Sequence, residues 1–394
     1  MAAADAKPGQ DLPFDARHLD RLMDEAGLDV LVVTSKHNVQ YLLGGYKFFF
    51  FESMDAIGTS RYLPVLIYRK GRPDQAGYVG CFMESFEKEL GRFWMSSLSL
   101  GATGSAPAMR EAAAHIKALG SGIRRVGVES SFLPADAERV LRAELANVDI
   151  ADAMLPLERL RARKSPEEIA DLREASERVV ASMMEALKAA TPGTTKHEVV
   201  ETLRRAEVNR GLVFDYCLIT AGTSLNRAPS EQRLQAGDIM SIDSGGNYKG
   251  YIGDLCRMGI LGEPDAELQD LLGFIEHVQQ ETRKPVKAGA RGGEIIDLGE
   301  RLVAQSPHAA YTHYMAHGMG LASQEAPRLG TYKSLSYEGD DASRPLEAGM
   351  VISIETTMAH PKRGFVKLED TVLVTDSGYE ALGDSGRGWN RAGG

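Results

Sequence analysis

Asp243, Asp254, Glu355 and Glu369 interrupt stretches that are otherwise apolar and read as β-strands: IMSIDSGG, YIGDLCRMGIL, MVISIETTM and FVKLEDTVLVT. A strand interior is an expensive place for a carboxylate, because burial strips its hydration. Taken singly, each reads as a solvent-facing or turn-capping group. Taken together they do not, since NYKG joins the first two strands and AHPKRG the second two, making two hairpins. Eleven residues separate Asp243 from Asp254 and fourteen separate Glu355 from Glu369. In a hairpin, both separations place the two carboxylates on adjacent strands, facing one another. Like charges held that close call for cations between them. His317, in YMAHGMGL, is a candidate fifth member, and Gly318 and Gly320 beside it let the backbone approach something bulky or charged. Alone it reads as a hydrogen-bonded core histidine. With four carboxylates it completes a donor set for two hard or borderline divalent ions. Mn²⁺ is the first expectation, with Fe²⁺, Co²⁺ and Zn²⁺ behind it, and two such ions can share a hydroxide poised to attack an electrophilic carbon.

The elements that position these residues follow from the pattern around them. From RLRARKSPEEIADLREASERVVASMMEALKAA onward, helices interleave with the two antiparallel hairpins, and Ser-Pro-Glu-Glu marks a helix start. Upstream, DARHLDRLMDEA repeats apolar groups at helical spacing and stops at Gly27 before the strand LDVLVVT. YLPVLIY and AGYVG read as strands around a turn RKGRPDQ, and RRVGVE as a strand before the helix PADAERVLRAEL. The expectation is an α/β N-terminal domain over residues 1–158 and an α+β catalytic domain over 159–394.

The motifs IDSGGNYKGYIGDLCR, AHGMGLASQEAP, SIET and KLEDTVLVT resemble the pita-bread metallopeptidase family of methionine aminopeptidase, Xaa-Pro aminopeptidase and prolidase, whose fold creatinase shares. The resemblance covers the chain from about residue 160 to its end, and the N-terminal part looks like the smaller domain of the prolidase and creatinase branch. It implies that Asp243 holds one ion, that His317 and Glu355 hold the other, and that Asp254 and Glu369 bridge both. It also implies that Glu355 handles the proton, and that Arg257 braces the acidic cluster.

Four departures from the family pattern bear on the substrate. The second histidine of such peptidases, seven residues after the ligand, is Gln324 here, and their upstream histidine is replaced by Asn226 or Arg227. None of these titrates near neutral pH as an imidazole does. Thr356 and Thr357 follow Glu355 where prolidases have Pro-Gly, and Lys367 stands where they favour arginine. The sequence reading is therefore a metal-dependent hydrolase of a C–N bond in a small aromatic or cyclic substrate, with weak or absent Xaa-Pro cleavage. Xaa-Pro dipeptidase or aminopeptidase is an alternative. A lyase of the dimethylsulfoniopropionate type is another, weakened because Ser323 occupies the place of its acidic base. A non-catalytic binding module is the last. His313, four residues before His317, points the same way on a strand and is assigned a catalytic role. Phe48, Phe49, Phe50 and Phe51 form a buried strand, a dimer contact or, with Asn226 and Arg227, a substrate-binding surface.

Composition bounds the rest. With 45 Lys and Arg against 55 Asp and Glu, 43% apolar and 25% charged residues, the chain is an ordinary globular one with no bulk charge for nucleic acid. Its apolar runs fall short of the ~20 residues that span a bilayer, and MAAADAKPGQDLPF carries charges and Pro where an export signal needs an apolar stretch. Cys81, Cys217 and Cys256 form no close pair, which suits a reducing cytoplasm. The expected partners are a small-molecule substrate and further copies of the chain, as a homodimer or higher homo-oligomer.

Overall fold

A computed structural model describes residues 12–51, 61–333 and 336–393. The start of the stretch read as lacking an export signal, residues 1–11, lies outside them. No helix among the described residues is long and apolar enough to cross a membrane. The chain divides into two units, 1–161 and 162–394.

In the first unit β1 (Val30–Val33), β2 (Val65–Arg69), β3 (Arg72–Gly80), β4 (Ser97–Leu100), β5 (Arg125–Val128) and β6 (Asp149–Asp152) form one sheet in the order β4-β3-β2-β1-β5-β6. β1 shows why this sheet is covered on both faces: Leu31 and Val33 enter one apolar cluster and Val30 and Val32 the other. Helices α1 (Ala16–Glu25) and α2 (Lys36–Leu42) supply the first cluster, α3 (Ser105–Ala118) and α4 (Ala135–Glu144) the second. β3 takes in the RPDQ that the sequence assigns to a turn, and only Lys70 and Gly71 remain between the strands.

The phenylalanine run does not form a strand. Residues 46–48 are irregular and 49–51 make one 3₁₀ turn. Phe48 and Phe51 are buried in the first cluster, Phe50 stacks on Tyr62, and only Phe49, 59% exposed, is open to solvent. Phe48 and Phe51 are spent on the core.

α5 (Met154–Ala162) runs through the division of the chain. In the second unit α6 (Pro166–Ala189) begins with a reciprocal cap between Ser165 and Glu168, and Pro166 needs no N–H partner there. α7 (Lys196–Asn209), β7 (Val213–Ala221), β8 (Ile239–Tyr248), β9 (Tyr251–Ile260), α8 (Ala266–Arg283), α9 (Gly293–Ala304), β10 (Thr312–Gly318), β11 (Val351–His360), β12 (Gly364–Val374), β13 (Tyr379–Leu382) and β14 (Asn390–Arg391) follow. The sheet runs β10-β11-β12-β9-β8-β7, with β13 on β12 and β14 on β9. Both expected hairpins form. Tyr248 pairs with Tyr251, so Lys249 and Gly250 alone make the first turn, both at positive φ, the conformation that fits the sheet's twist.

One face of this sheet is covered by helices. Ile242 and Leu255 pack with Val179 and Met183 of α6, and Ile354 and Val372 with Val278 of α8 and Ile295 of α9. Gly253 lies on that face because a Cβ there would fall 2.7 Å from the α6 backbone. Strand alternation then sends the intervening residues, the acidic ones included, to the opposite face.

Candidate metal centre

Register explains why residues so far apart in sequence meet. Met315, Glu355, Glu369, Cys256, Asp243 and Leu218 are successive partners across β10, β11, β12, β9, β8 and β7, one row on one face. The next row on that face holds His317 paired with Ser353, and Asp254 paired with Gly245, which in turn pairs with Tyr216. Glu355 and Glu369 are directly opposed, as expected. Asp243 and Asp254 are diagonal instead, because Asp243 pairs with Cys256.

Two triads of buried donors result: His317, Glu355 and Glu369, and Asp243, Asp254 and Glu369, with ligand atoms in each within 4.8 Å of one another. Glu369 belongs to both. The details suit cations. His317 Nδ1 donates to the carbonyl of Gly318 at 3.1 Å, and Nε2 lies 3.5 Å from Glu355 Oε1; burial lowers the His317 pKa, but Glu355 outweighs burial and raises it, and a metal ion would take the place of the Nε2 proton. Tyr216 donates to Asp254, yet Asp254 Oδ1 is buried with no hydrogen-bond partner, an oxygen that a cation would satisfy. Gly245 makes that contact possible, since a Cβ there would lie 2.3 Å from the Tyr216 ring. Ser353 Oγ donates to Glu369 Oε1 at 2.9 Å.

The charges are unevenly served. Burial, with the charges of Glu369 and Asp243, pushes Asp254 well above the usual carboxylate range. Burial and Glu355 push Glu369 up to about 7. Burial also opposes the ionisation of Glu355, but Lys367 and His317 outweigh it and hold this carboxyl at about 2. The largest influence lowering Glu355 is the charge of Lys367. Lys367 Nζ reaches Asp243 Oδ2 at 2.7 Å, Glu355 Oε2 at 2.6 Å and Glu369 Oε2 at 2.7 Å. A signal for it existed: Lys367 is two residues before Glu369 on one strand, hence on the same face. For Tyr216 no such signal existed.

The other candidates separate. Arg227 ion-pairs with Asp243 and lies over the Phe365 ring, 4.9 Å from its centroid, so its guanidinium belongs to a carboxylate of the second triad rather than to open surface. Asn226 is exposed; its side chain caps Ala228 N and its carbonyl accepts from Lys196. His313 shares the face of His317 but pairs with Thr357, beyond the row of Glu355, and is solvent-exposed. Gln324 is half-buried in the loop after β10.

Arg257 requires a correction. It lies on the helix-covered face, where it bonds the Asp370 carboxylate at 3.2 Å and the carbonyls of Glu369, Gly383 and Ser385 rather than a carboxylate of either triad. Three residues from Asp254 is an odd step along a strand, and odd steps change face. The glycines beside His317 also serve the fold: Gly318 passes the backbone of Ala326, and Gly320 the buried ion pair of Lys164 with Glu325, 3.1 Å apart.

Residues 170–376 match metallopeptidase family M24, and residues 16–163 match the creatinase/prolidase N-terminal domain. An Xaa-Pro dipeptidase of Pyrococcus horikoshii is 26% identical over 91% of this chain and 94% of its own length. Among solved structures, an Xaa-Pro dipeptidase from Bacillus anthracis superposes with a TM-score of 0.80 at 23% identity, covering 95% of this chain and 98% of that one. The dipeptidase PepE of Mycobacterium ulcerans gives 0.75 at 24% identity, covering 96% and 99%. At these identities the structural likeness is one of fold, the pita-bread fold expected from the motifs.

Proposed function

The chain belongs to metallopeptidase family M24 and is a metal-dependent hydrolase; from that footing we propose that it cleaves the Xaa–Pro bond of short peptides, dipeptides first. The observation that carries this reading is the match to an Xaa-Pro dipeptidase along nearly the whole of both chains, through both units. It reverses the order of the sequence reading, which put a small aromatic or cyclic C–N compound first. With it go a pair of divalent ions, Mn²⁺ first, held by Asp243, Asp254, His317, Glu355 and Glu369, and a cytoplasmic homodimer.

When bound, such ions supply Lewis acidity at a carbonyl oxygen and make water a better nucleophile near neutral pH. The side chains do the rest. Glu355 is ionised at neutral pH, so it can accept a proton from the attacking water and pass it to the leaving nitrogen; water oxygen ends on the carbonyl carbon and the proton on proline. The carbonyl of Gly318 holds Nδ1–H of His317, so that Nε2 would be the atom offered to an ion. Arg227, permanently charged, holds Asp243 and cannot relay a proton.

A second reading keeps the small C–N substrate, and a specific observation favours it: Gln324 and Arg227 stand where titrating imidazoles were expected, and Arg227 is committed to Asp243. One assay separates the two. Mn²⁺-reconstituted protein is offered Xaa-Pro dipeptides, the matching Xaa-Ala dipeptides, and small cyclic and aromatic C–N compounds. Selective release of proline is expected. Turnover of a non-peptide compound with none of any Xaa-Pro dipeptide would install the second reading.

A further inference from the structure

The three contacts of Lys367 use everything an ammonium has to offer. It carries three N–H donors and no acceptor, and the three carboxylates it meets come from β8, β11 and β12. An arginine would spend its flat fork on one carboxylate; the lysine forms a tripod over three. Both donor triads are affected, for Glu369 is common to them, Asp243 belongs to one and Glu355 to the other. A divalent ion binds carboxylate oxygen at about 2.0–2.2 Å, so it competes for the very oxygens the tripod holds. Arg227 adds a second positive charge on Asp243 Oδ2, which leaves four carboxylates facing two resident cations.

We propose that Lys367 is a resident counter-ion of the centre, holding Asp243, Glu355 and Glu369 together on its own and yielding them only when a divalent ion displaces its ammonium. Resting on the metal-dependent reading above, this makes assembly of the site independent of metal and makes metal affinity a competition set by one side chain. Elsewhere, the clusters around Glu129 and Glu84 are closed by backbone N–H and hydroxyl donors and offer nothing to a ligand.

The test uses full-length protein stripped with chelator, titrated with Mn²⁺ by calorimetry, with metal content measured after gel filtration and thermal unfolding followed in chelator. Lys367→Met should bind Mn²⁺ at least about tenfold more tightly than wild type, since a buried positive charge next to the ion is gone. In chelator it should melt at a lower temperature than wild type, with the gap closing at saturating Mn²⁺. If Lys367→Met does not fold without metal, Lys367→Gln, whose amide still donates two hydrogen bonds, carries the affinity test. Folded variants that bind Mn²⁺ no more tightly than wild type overturn the counter-ion role alone. Failure of wild type and variants alike to bind any divalent ion overturns it together with the metal-dependent reading.

Discussion

Glu355 is pulled two ways, upward by burial and downward by the ammonium of Lys367 and the imidazole of His317, and the downward pull wins. A carboxyl held at about 2 is ionised at every pH near neutrality, as the proton-accepting role proposed for it requires. Glu355→Gln removes the base while keeping the shape, so kcat on the preferred substrate should fall by about 10²–10⁴-fold. Circular dichroism should be unchanged. Turnover within a factor of a few of wild type, at matched metal content, would remove Glu355 from the proton path. Arg227 makes a different prediction. Because its charge sits on Asp243, Arg227→Ala should loosen that carboxylate and alter metal stoichiometry more than substrate KM; a change confined to KM would restore the substrate-contact role that the sequence assigned to it.

At the scale of elements, the helix-covered face of the second sheet carries its own charge network. Asp370, next in sequence to Glu369 but on the other face, is paired with Arg257, Arg283 and Arg387, and Gln279 of α8 donates to it at 2.6 Å. Those partners hold its carboxyl at about 2 despite burial. Asp370→Ala takes from buried Arg257 the carboxylate it bonds, leaving it backbone carbonyls, and removes one partner from Arg283 and Arg387, which keep Asp384 and, for Arg387, Glu276. It should cost about 3–5 kcal/mol of stability by denaturant unfolding; a loss below about 1 kcal/mol would show the network to be dispensable. Glu207 of α7 is the opposite case. Burial lifts its carboxyl to about 7, and beyond the hydroxyl of Ser244 its second oxygen has no partner. A folded pKa above the unfolded one means that its contribution to stability is full below about 4.5 and disappears as pH rises through about 7. Glu207→Gln should therefore raise the melting temperature at pH 8.5 by several degrees and leave it nearly unchanged at pH 5. Equal shifts at both pH values would contradict this assignment.

For the molecule as a whole, the candidate metal donors among the described residues all lie in 162–394 and none in 1–161. Mn²⁺ should raise the melting temperature in proportion to the logarithm of its concentration, and hydrogen exchange should slow in β8, β9, β11 and β12 while β1 to β6 stay unaffected. Protection distributed over both units would mean that ligands come from elsewhere. The extent to which this was legible in the sequence has a physical basis. A strand has a period of two, so apolar runs broken by Asp243, Asp254, Glu355 and Glu369 and closed by short turns could be read as two hairpins with carboxylates on one face, and His317 joined them through its motif. The same period, applied further, places Lys367 on the site face and Arg257 off it. What the chain order could not supply is which strands become neighbours. That β12 pairs with β9, setting Glu369 beside Cys256 in the row of Asp243, joins the two hairpins into one centre, and long-range pairing leaves no mark in local pattern. Nor could it tell that Phe48 and Phe51 turn inward from an irregular segment, since four adjacent apolar residues have no period at all. Local hydrophobic alternation determined the faces; only the tertiary fold decided which faces meet, which cation stands between them, and which aromatic side chains are used up in the core.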